Sequence, residues 1–204
     1  MVVNGLFAAG TETTLTTIRW FFLYLLHYPH YQTKLYEEIK SKIGLKRPAS
    51  YKDADALPLV QAAILETLRV ATVAPLIIPH KAICDTFLGG ESIPKDTTVF
   101  FNLHQMHHNE KDWENPDEFK PERWLKADGT LKSEKEFSFA PFSTGTRSCI
   151  GEKMARIELF LMVTRIIAKF EVMPDLEEPL PNFEGCGITC APSSDFKAVF
   201  KIRC

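Results

Sequence analysis

The sequence has no surplus of either charge: 24 Lys+Arg stand against 26 Asp+Glu, a formal net charge of −2 over 204 residues. Proteins that hold bulk polyanions carry a clear basic excess, so nucleic acid is not an expected partner. Long apolar runs are missing too. The longest, Trp20 to Leu26, falls far short of the roughly 20 residues a helix needs to cross a bilayer. Near the start, Asn4, Gly5, Thr11 and Glu12 interrupt any apolar core of a secretory signal, and none is expected. There is no Asn-x-Ser/Thr acceptor for glycosylation. Cysteine is sparse: Cys84, Cys149, Cys186, Cys190 and Cys204 are odd in number and scattered. That excludes a dense disulfide framework and favours a reducing compartment.

What remains is ordinary globular material, 45% hydrophobic and 25% charged. A compact chain of this mass exposes on the order of 10,000 Å², so a sizeable core is expected. Leu6, Phe7, Leu15, Ile18, Phe22, Leu25 and Leu26 fit a helical face that Pro29 closes. The pattern starts inside this helix without a capping residue, which predicts further sequence upstream. A second helix is expected from Pro29 to Ile43, ended by Gly44. A short capped turn should follow at Ser50 to Asp55. A third helix should run from Leu57 to Ala71, with Leu57, Val60, Ile64, Leu68 and Ala71 on one face. Beyond Pro75 the sequence predicts short strands at Leu76 to Ile78, Thr86 to Leu88 and Thr97 to Phe101, with a hairpin turn at Gly89-Gly90. A long irregular segment from Asn102 to Glu136 and a loop from Phe139 to Ser148 lead to a helix over Cys149 to Phe170. The tail reads as turns and short strands.

The segment Phe142-Ser-Thr-Gly145-Thr-Arg147-Ser-Cys149-Ile-Gly151 is a glycine-containing loop that brings a cysteine to the start of a helix. Backbone N–H groups and the helix dipole favour a thiolate there, and Arg147 adds positive charge. Gly145 permits a tight turn, and Gly151 lets a flat group approach the backbone. Such a thiolate suits a nucleophile or a metal ligand; a buried, inert cysteine is the plain alternative. Elsewhere, Glu66 and Arg69 lie three apart on one helix face and can pair. His104, His107 and His108 hint at a metal site, but no acid or cysteine completes it at zinc spacing. Cys186-x-x-x-Cys190 also lacks a second pair of ligands and reads as a turn with two small apolar residues.

The residues Phe142 to Gly151 match the pattern Phe-x-x-Gly-x-Arg-x-Cys-x-Gly, and in this the chain resembles the cytochromes P450. The resemblance extends over essentially all 204 residues in the family's motif order. Ala9-Gly10-Thr11-Glu12-Thr13-Thr14 is similar to the oxygen-binding segment of the family's long central helix. Glu66-Thr-Leu-Arg69 resembles its Glu-x-x-Arg motif, and Pro121-Glu122-Arg123-Trp124 resembles the Pro-Glu-Arg-Phe/Trp motif.

The resemblance implies a mainly α fold with small β-sheets, specifically the C-terminal half of the P450 fold, with the N-terminal half and membrane anchor outside residues 1–204. It implies haem b held by Cys149 as axial ligand, and a haem site that also takes in Phe142, Gly145, Gly151 and Gly10. It implies Arg147 and His80 at the propionates and a buried network of Glu66, Arg69 and Arg123. Glu12 and Thr13 become a proton-delivery pair, because reduction of O₂ consumes protons that an apolar pocket must import through hydroxyls and water.

Phe7, Ala8, Val73, Ala74, Leu76, Ile77, Ile188 and Thr189 fall where the family lines its substrate pocket. They are mostly apolar, which fits an apolar, steroid-like or xenobiotic substrate. The implied reaction is insertion of one oxygen atom from O₂, with electrons from NADPH through a cytochrome P450 reductase and cytochrome b5 as a further partner. The implied place is the cytosolic face of the endoplasmic reticulum membrane. Val73-Ala-Pro-Leu-Ile-Ile-Pro-His80 and Trp124-Leu-Lys-Ala-Asp-Gly129 are most similar to the microsomal group that contains steroid 17-hydroxylase-like and aryl-hydrocarbon-oxidising members. Two other readings stand beside this one: a truncated, non-catalytic product of such an enzyme, and a haem-thiolate isomerase or dehydratase. The intact Glu12-Thr13 pair speaks against the isomerase or dehydratase.

Overall fold

The structure is a computed structural model that describes residues 2–134 and 137–203, with side chains from Phe7 onward. Its centre is helix α1 (Val2–His27). From Trp20 to Leu26 every side chain of α1 is buried, so this half of the helix is apolar all round and lies inside the molecule. From Phe7 to Thr13 the same helix is exposed. The predicted apolar face therefore divides, with Ile18, Phe22, Leu25 and Leu26 in the core and Phe7 and Leu15 outside it.

Pro29 ends α1 and opens α2 (Pro29–Lys42), where its missing N–H costs nothing. Helix α3 (Pro58–Ala71) packs on α1 and buries all five residues of its predicted face. Its first free amides are satisfied from α2: the Glu38 carboxylate accepts from Leu59 N at 2.9 Å and Val60 N at 3.0 Å. Between them, Ser50 opens a 3₁₀ turn (Tyr51–Ala56) in which the Asp53 carboxylate accepts from Ser50 N at 2.8 Å. Helix α3 stops at Thr72, whose φ of 36° takes the backbone left-handed.

The strands are short and pair two by two. β1 (His80–Lys81) pairs antiparallel with β4 (Thr98–Val99), and β2 (Thr86–Leu88) with β3 (Glu91–Ile93) around Gly89 and Gly90. The hairpin partner of Thr86–Leu88 is thus Glu91–Ile93, a segment too polar to read as a strand. Leu76 contributes only a single bridge to Asn102 in place of the expected strand. The segment expected to be irregular holds a short helix, α4 (Leu103–His107), begun when the Asn102 side chain accepts from Gln105 N at 2.9 Å. It also holds a 3₁₀ turn at Pro121–Trp124.

Helix α5 (Glu152–Lys169) starts at Glu152 rather than Cys149, because Gly151 is its first capping residue. β5 (Phe170–Pro174) follows directly and pairs with β8 (Ala198–Ile202). The buried Gln32 amide ties α2 to β5, donating to Val172 O at 2.9 Å and accepting from Val172 N at 2.6 Å. β6 (Gly185–Cys186) and β7 (Ala191–Pro192) form the last hairpin. The largest core cluster joins α1, α2, α3 and α5. A second gathers Ala62, Leu65, Trp113 and Trp124 beneath the long irregular segment.

Candidate functional site

Glu66 is fully buried on α3 and would be costly there as an isolated charge. Five donors surround its carboxylate. Arg69 reaches Oε2 with Nε at 3.0 Å and Oε1 with Nη2 at 2.9 Å. Arg123 Nε donates to Oε1 at 2.8 Å, the Lys120 amide to Oε1 at 3.0 Å, and the Trp124 indole to Oε2 at 2.8 Å. The remaining guanidinium hydrogens go to carbonyls: Arg69 Nη1 to His107 and Arg123 Nη1 to Glu114. Trp113 lies under the Arg69 guanidinium, 4.9 Å from ring centroid to Cζ. Among the described residues no buried side-chain polar atom lacks a partner. The cluster joins α3 to the 3₁₀ turn at Pro121–Trp124 and to the end of α4. Trp124 and the Lys120 amide were not visible as members from the sequence; the adjacency of tryptophan to Arg123 was the available signal.

The cysteine loop hangs beside this cluster. The Cys149 amide donates to Phe142 O at 2.8 Å, closing the loop on itself. Ser143 (φ 62°) and Gly145 (φ 76°) turn the chain left-handed twice, and a side chain with a Cβ is strained at such positions. Within that frame Cys149 is exposed, and so are Arg147 and Ile150, the latter with 88% of its surface free. A Cβ at Gly151 would lie 3.8 Å from Cys149 Sγ, so the glycine keeps the space beside the sulfur open. Phe142 is half-buried beneath the Arg156 guanidinium, which holds Glu134 and Glu152.

On α1, Glu12 and Thr13 are exposed, and the Thr13 hydroxyl donates back to Ala9 O at 2.7 Å. A Cβ at Gly10 would meet nothing within 4 Å. Of the pocket-lining candidates, Phe7, Ala8, Ala74, Leu76 and Ile188 are exposed, Ile77 and Thr189 half-buried, and Val73 buried. Two of their segments meet: the Cys190 amide donates to Val73 O at 2.8 Å, and Trp20 of α1 donates to Cys190 O at 2.8 Å. His80 is half-buried on β1 with its ring 5.5 Å from that of Phe101.

The three histidines do not converge. His104 and His108 stack with ring centroids 4.1 Å apart, and His107 turns into the core. Among the described residues no group of three potential ligands converges. Burial, then the neighbouring Cys186, pushes the Cys190 thiol up and keeps it neutral. His107 is the residue whose place in the site was missed. No local pattern marks it, because α4 is five residues long and the bonds of His107 reach Thr72 and Ala140, far away in the sequence.

A family model described as Cytochrome P450 matches residues 1–197. The chain is 43% identical over 204 residues to steroid 17-alpha-hydroxylase/17,20 lyase of Squalus acanthias, which covers 100% of this chain and 40% of that protein. It is 44% identical over 185 residues, 91% of this chain, to the protein of the same name in Oryzias latipes, and covers 36% of it. The chain thus spans about 40% or less of the length of these curated relatives. A solved zebra fish cytochrome P450 with abiraterone superposes at a TM-score of 0.90 and 39% identity, over 98% of this chain and 47% of that one. A second, with progesterone, gives 0.88 at 38% identity over 98% of this chain and 44% of that one.

Proposed function

The chain belongs to the cytochrome P450 family, and from that premise we propose that it is the haem-ligating portion of a steroid monooxygenase. Within the complete P450 domain it would run from the central helix to the C-terminus. The observation that carries this reading is an exposed thiol on a closed, twice left-handed loop, beside Gly151 and the exposed Ile150. The residues fit the group. A thiolate is a soft ligand suited to iron, and Ile150 and Phe142 offer apolar surface to a flat ring. When bound, haem would supply O₂ binding and activation, to which the Cys149 thiolate would contribute electron density.

The chain's own residues supply the rest. Cys149 gives the ligand, and the loop's backbone bonds fix its direction. Arg147, exposed and without a carboxylate partner among the described residues, suits one carboxylate of the cofactor, and His80 a second. Glu12 and Thr13 lie on the part of α1 that this chain leaves open, where an acid and an alcohol can relay protons. Phe7, Leu76, Ile77 and Ile188 give an apolar lining, which suits the steroid named for the relatives. Electrons would come from NADPH through a reductase, with cytochrome b5 as a second donor, on the cytosolic face of the endoplasmic reticulum. Among the described residues no helix is long and apolar enough to cross a membrane.

The test is spectroscopic. In the complete protein Cys149→Ser abolishes the thiolate-type Soret band of the reduced carbon monoxide complex, whereas Cys84→Ser and Cys186→Ser keep it. A Cys149→Ser protein that retains this band overturns the assignment.

A further inference from the structure

Ala140 lies between the buried Glu66 cluster and the cysteine loop, and a side chain receives its backbone amide. The Ala140 N–H donates to Nε2 of His107 at 3.2 Å. A backbone amide only donates, so Nε2 carries a lone pair and the imidazole proton sits on Nδ1. Nδ1 lies 3.0 Å from Thr72 Oγ1, and the Thr72 hydroxyl commits its own proton to Arg69 O at 2.5 Å. Arg69 Nη1 in turn donates to the carbonyl of His107 at 2.8 Å. These bonds form a ring in which the direction of each is fixed by the next.

The other end of Ala140 leads on to the cysteine. Its carbonyl accepts from Ser143 N at 2.9 Å, which makes the left-handed turn, and Phe142 O accepts from Cys149 N at 2.8 Å. His107 is fully buried, its ring 5.3 Å from that of Phe139. The charged or titratable groups that bear on it are Arg69 of α3 and His104 and His108 of its own segment. Burial first, then these neighbours, holds it down to about 3.

We propose that His107 is a positioning residue for Cys149: as a neutral imidazole protonated on Nδ1, it fastens the cysteine loop, through the Ala140 amide, to the rigid Glu66–Arg69 cluster. This deepens the reading above and rests on Cys149 as the thiolate ligand. The loop's own bonds set its shape, and His107 sets where that shape stands relative to α3.

The test compares the complete, haem-loaded wild type with His107→Phe and His107→Gln. Phenylalanine keeps the bulk but leaves the Ala140 N–H without an acceptor; glutamine returns a carbonyl oxygen near the place of Nε2. The readouts are the ratio of thiolate-type to neutral-thiol bands in the reduced carbon monoxide complex, and hydrogen exchange at the Ala140 amide. His107→Phe lowers the ratio and raises the exchange rate by about tenfold each, the effect of one bond lost by a buried donor. His107→Gln recovers most of both. Wild-type values of both readouts in His107→Phe overturn the proposal. Absence of a thiolate band in the wild type overturns the assignment of Cys149 instead, and Ala140 exchange then still decides whether His107 holds the loop. If His107→Phe does not accumulate folded, nitrogen-15 spectra of wild-type histidines decide. An Nδ1–H tautomer unchanged over roughly pH 5 to 8 supports the proposal, and an Nε2–H or mixed tautomer overturns it.

Discussion

At Glu66, which has zero exposure, two guanidinium groups, an indole and an amide converge on the two carboxyl oxygens. Such an arrangement adds little net stability over an apolar replacement of the whole group, yet it is expensive to break in part. Glu66→Ala leaves both Arg69 and Arg123 facing a cavity. We expect it to cost about 3–5 kcal/mol in denaturant unfolding of the complete protein. A loss under about 1 kcal/mol would place the cluster with ordinary surface pairs. His107 gives the matching pH prediction. Its value drops from 6.5 to about 3 on folding, so the unfolded chain takes up a proton first as the pH falls. Its contribution is complete above 6.5 and is lost on the way down to 3, by up to roughly 1.4 kcal/mol per pH unit and about 3–5 kcal/mol in all. Wild type should therefore lose more stability than His107→Gln between roughly pH 7 and pH 4; parallel curves would contradict a buried neutral imidazole. Spacing within one helix suggests the Glu66–Arg69 pair, while Arg123 enters only through the motif it sits in. The Trp124 and His107 bonds join residues far apart in sequence and depend on how the irregular segment packs.

At the scale of elements, α1 behaves as two helices in one. Residues 20–26 are core, and residues 7–13 carry polar and apolar side chains alike into the open. In that open half Thr13 donates to Ala9 O, and the buried Thr17, one turn on, donates to Thr13 O. A hydroxyl bonded to the preceding turn draws on a carbonyl already used in the helix, so it is held in place but able to change partners. Thr13→Ala in the complete protein should leave haem binding intact and release hydrogen peroxide in place of product. Product formed per electron consumed should fall severalfold, and an unchanged yield would remove Thr13 from proton delivery. The long helices were legible because a 3.6-residue period repeats over many turns in α1 and α3. The strands were legible in part. Gly89-Gly90 marks a hairpin, but Glu91–Ile93 has no apolar alternation, and its pairing follows from the turn alone. Helix α4 has five residues, too few for any period to register, and begins because Asn102 caps it.

At the scale of the molecule, surface area carries the argument. The chain exposes 12563 Å², against roughly 10,000 Å² for a compact protein of its mass. Large apolar side chains contribute to it. Phe7 is 75% exposed, Ile78 84%, Ile150 88% and Ile188 96%, and these are the segments of α1, the residues after α3, the cysteine loop and the β6–β7 turn. Exposed apolar residues scattered singly need no explanation, and Leu176 (96%) and Ile83 (88%) are of that kind, but Phe7, Ile150 and Ile188 belong to the segments proposed for the site. A haem has two large apolar faces, and a stable site covers both. On the proposed reading, this chain would supply the cysteine loop and part of the central helix. We therefore expect residues 1–204, produced alone, to bind haem weakly or without the thiolate-type spectrum, to bind an apolar dye strongly, and to give no product with a reductase. Haem titration, dye fluorescence and turnover check the three parts separately. Near-stoichiometric haem with a thiolate-type carbon monoxide band and reductase-dependent product would show that this open face is not a missing wall, and that the central helix and cysteine loop suffice as a catalytic unit.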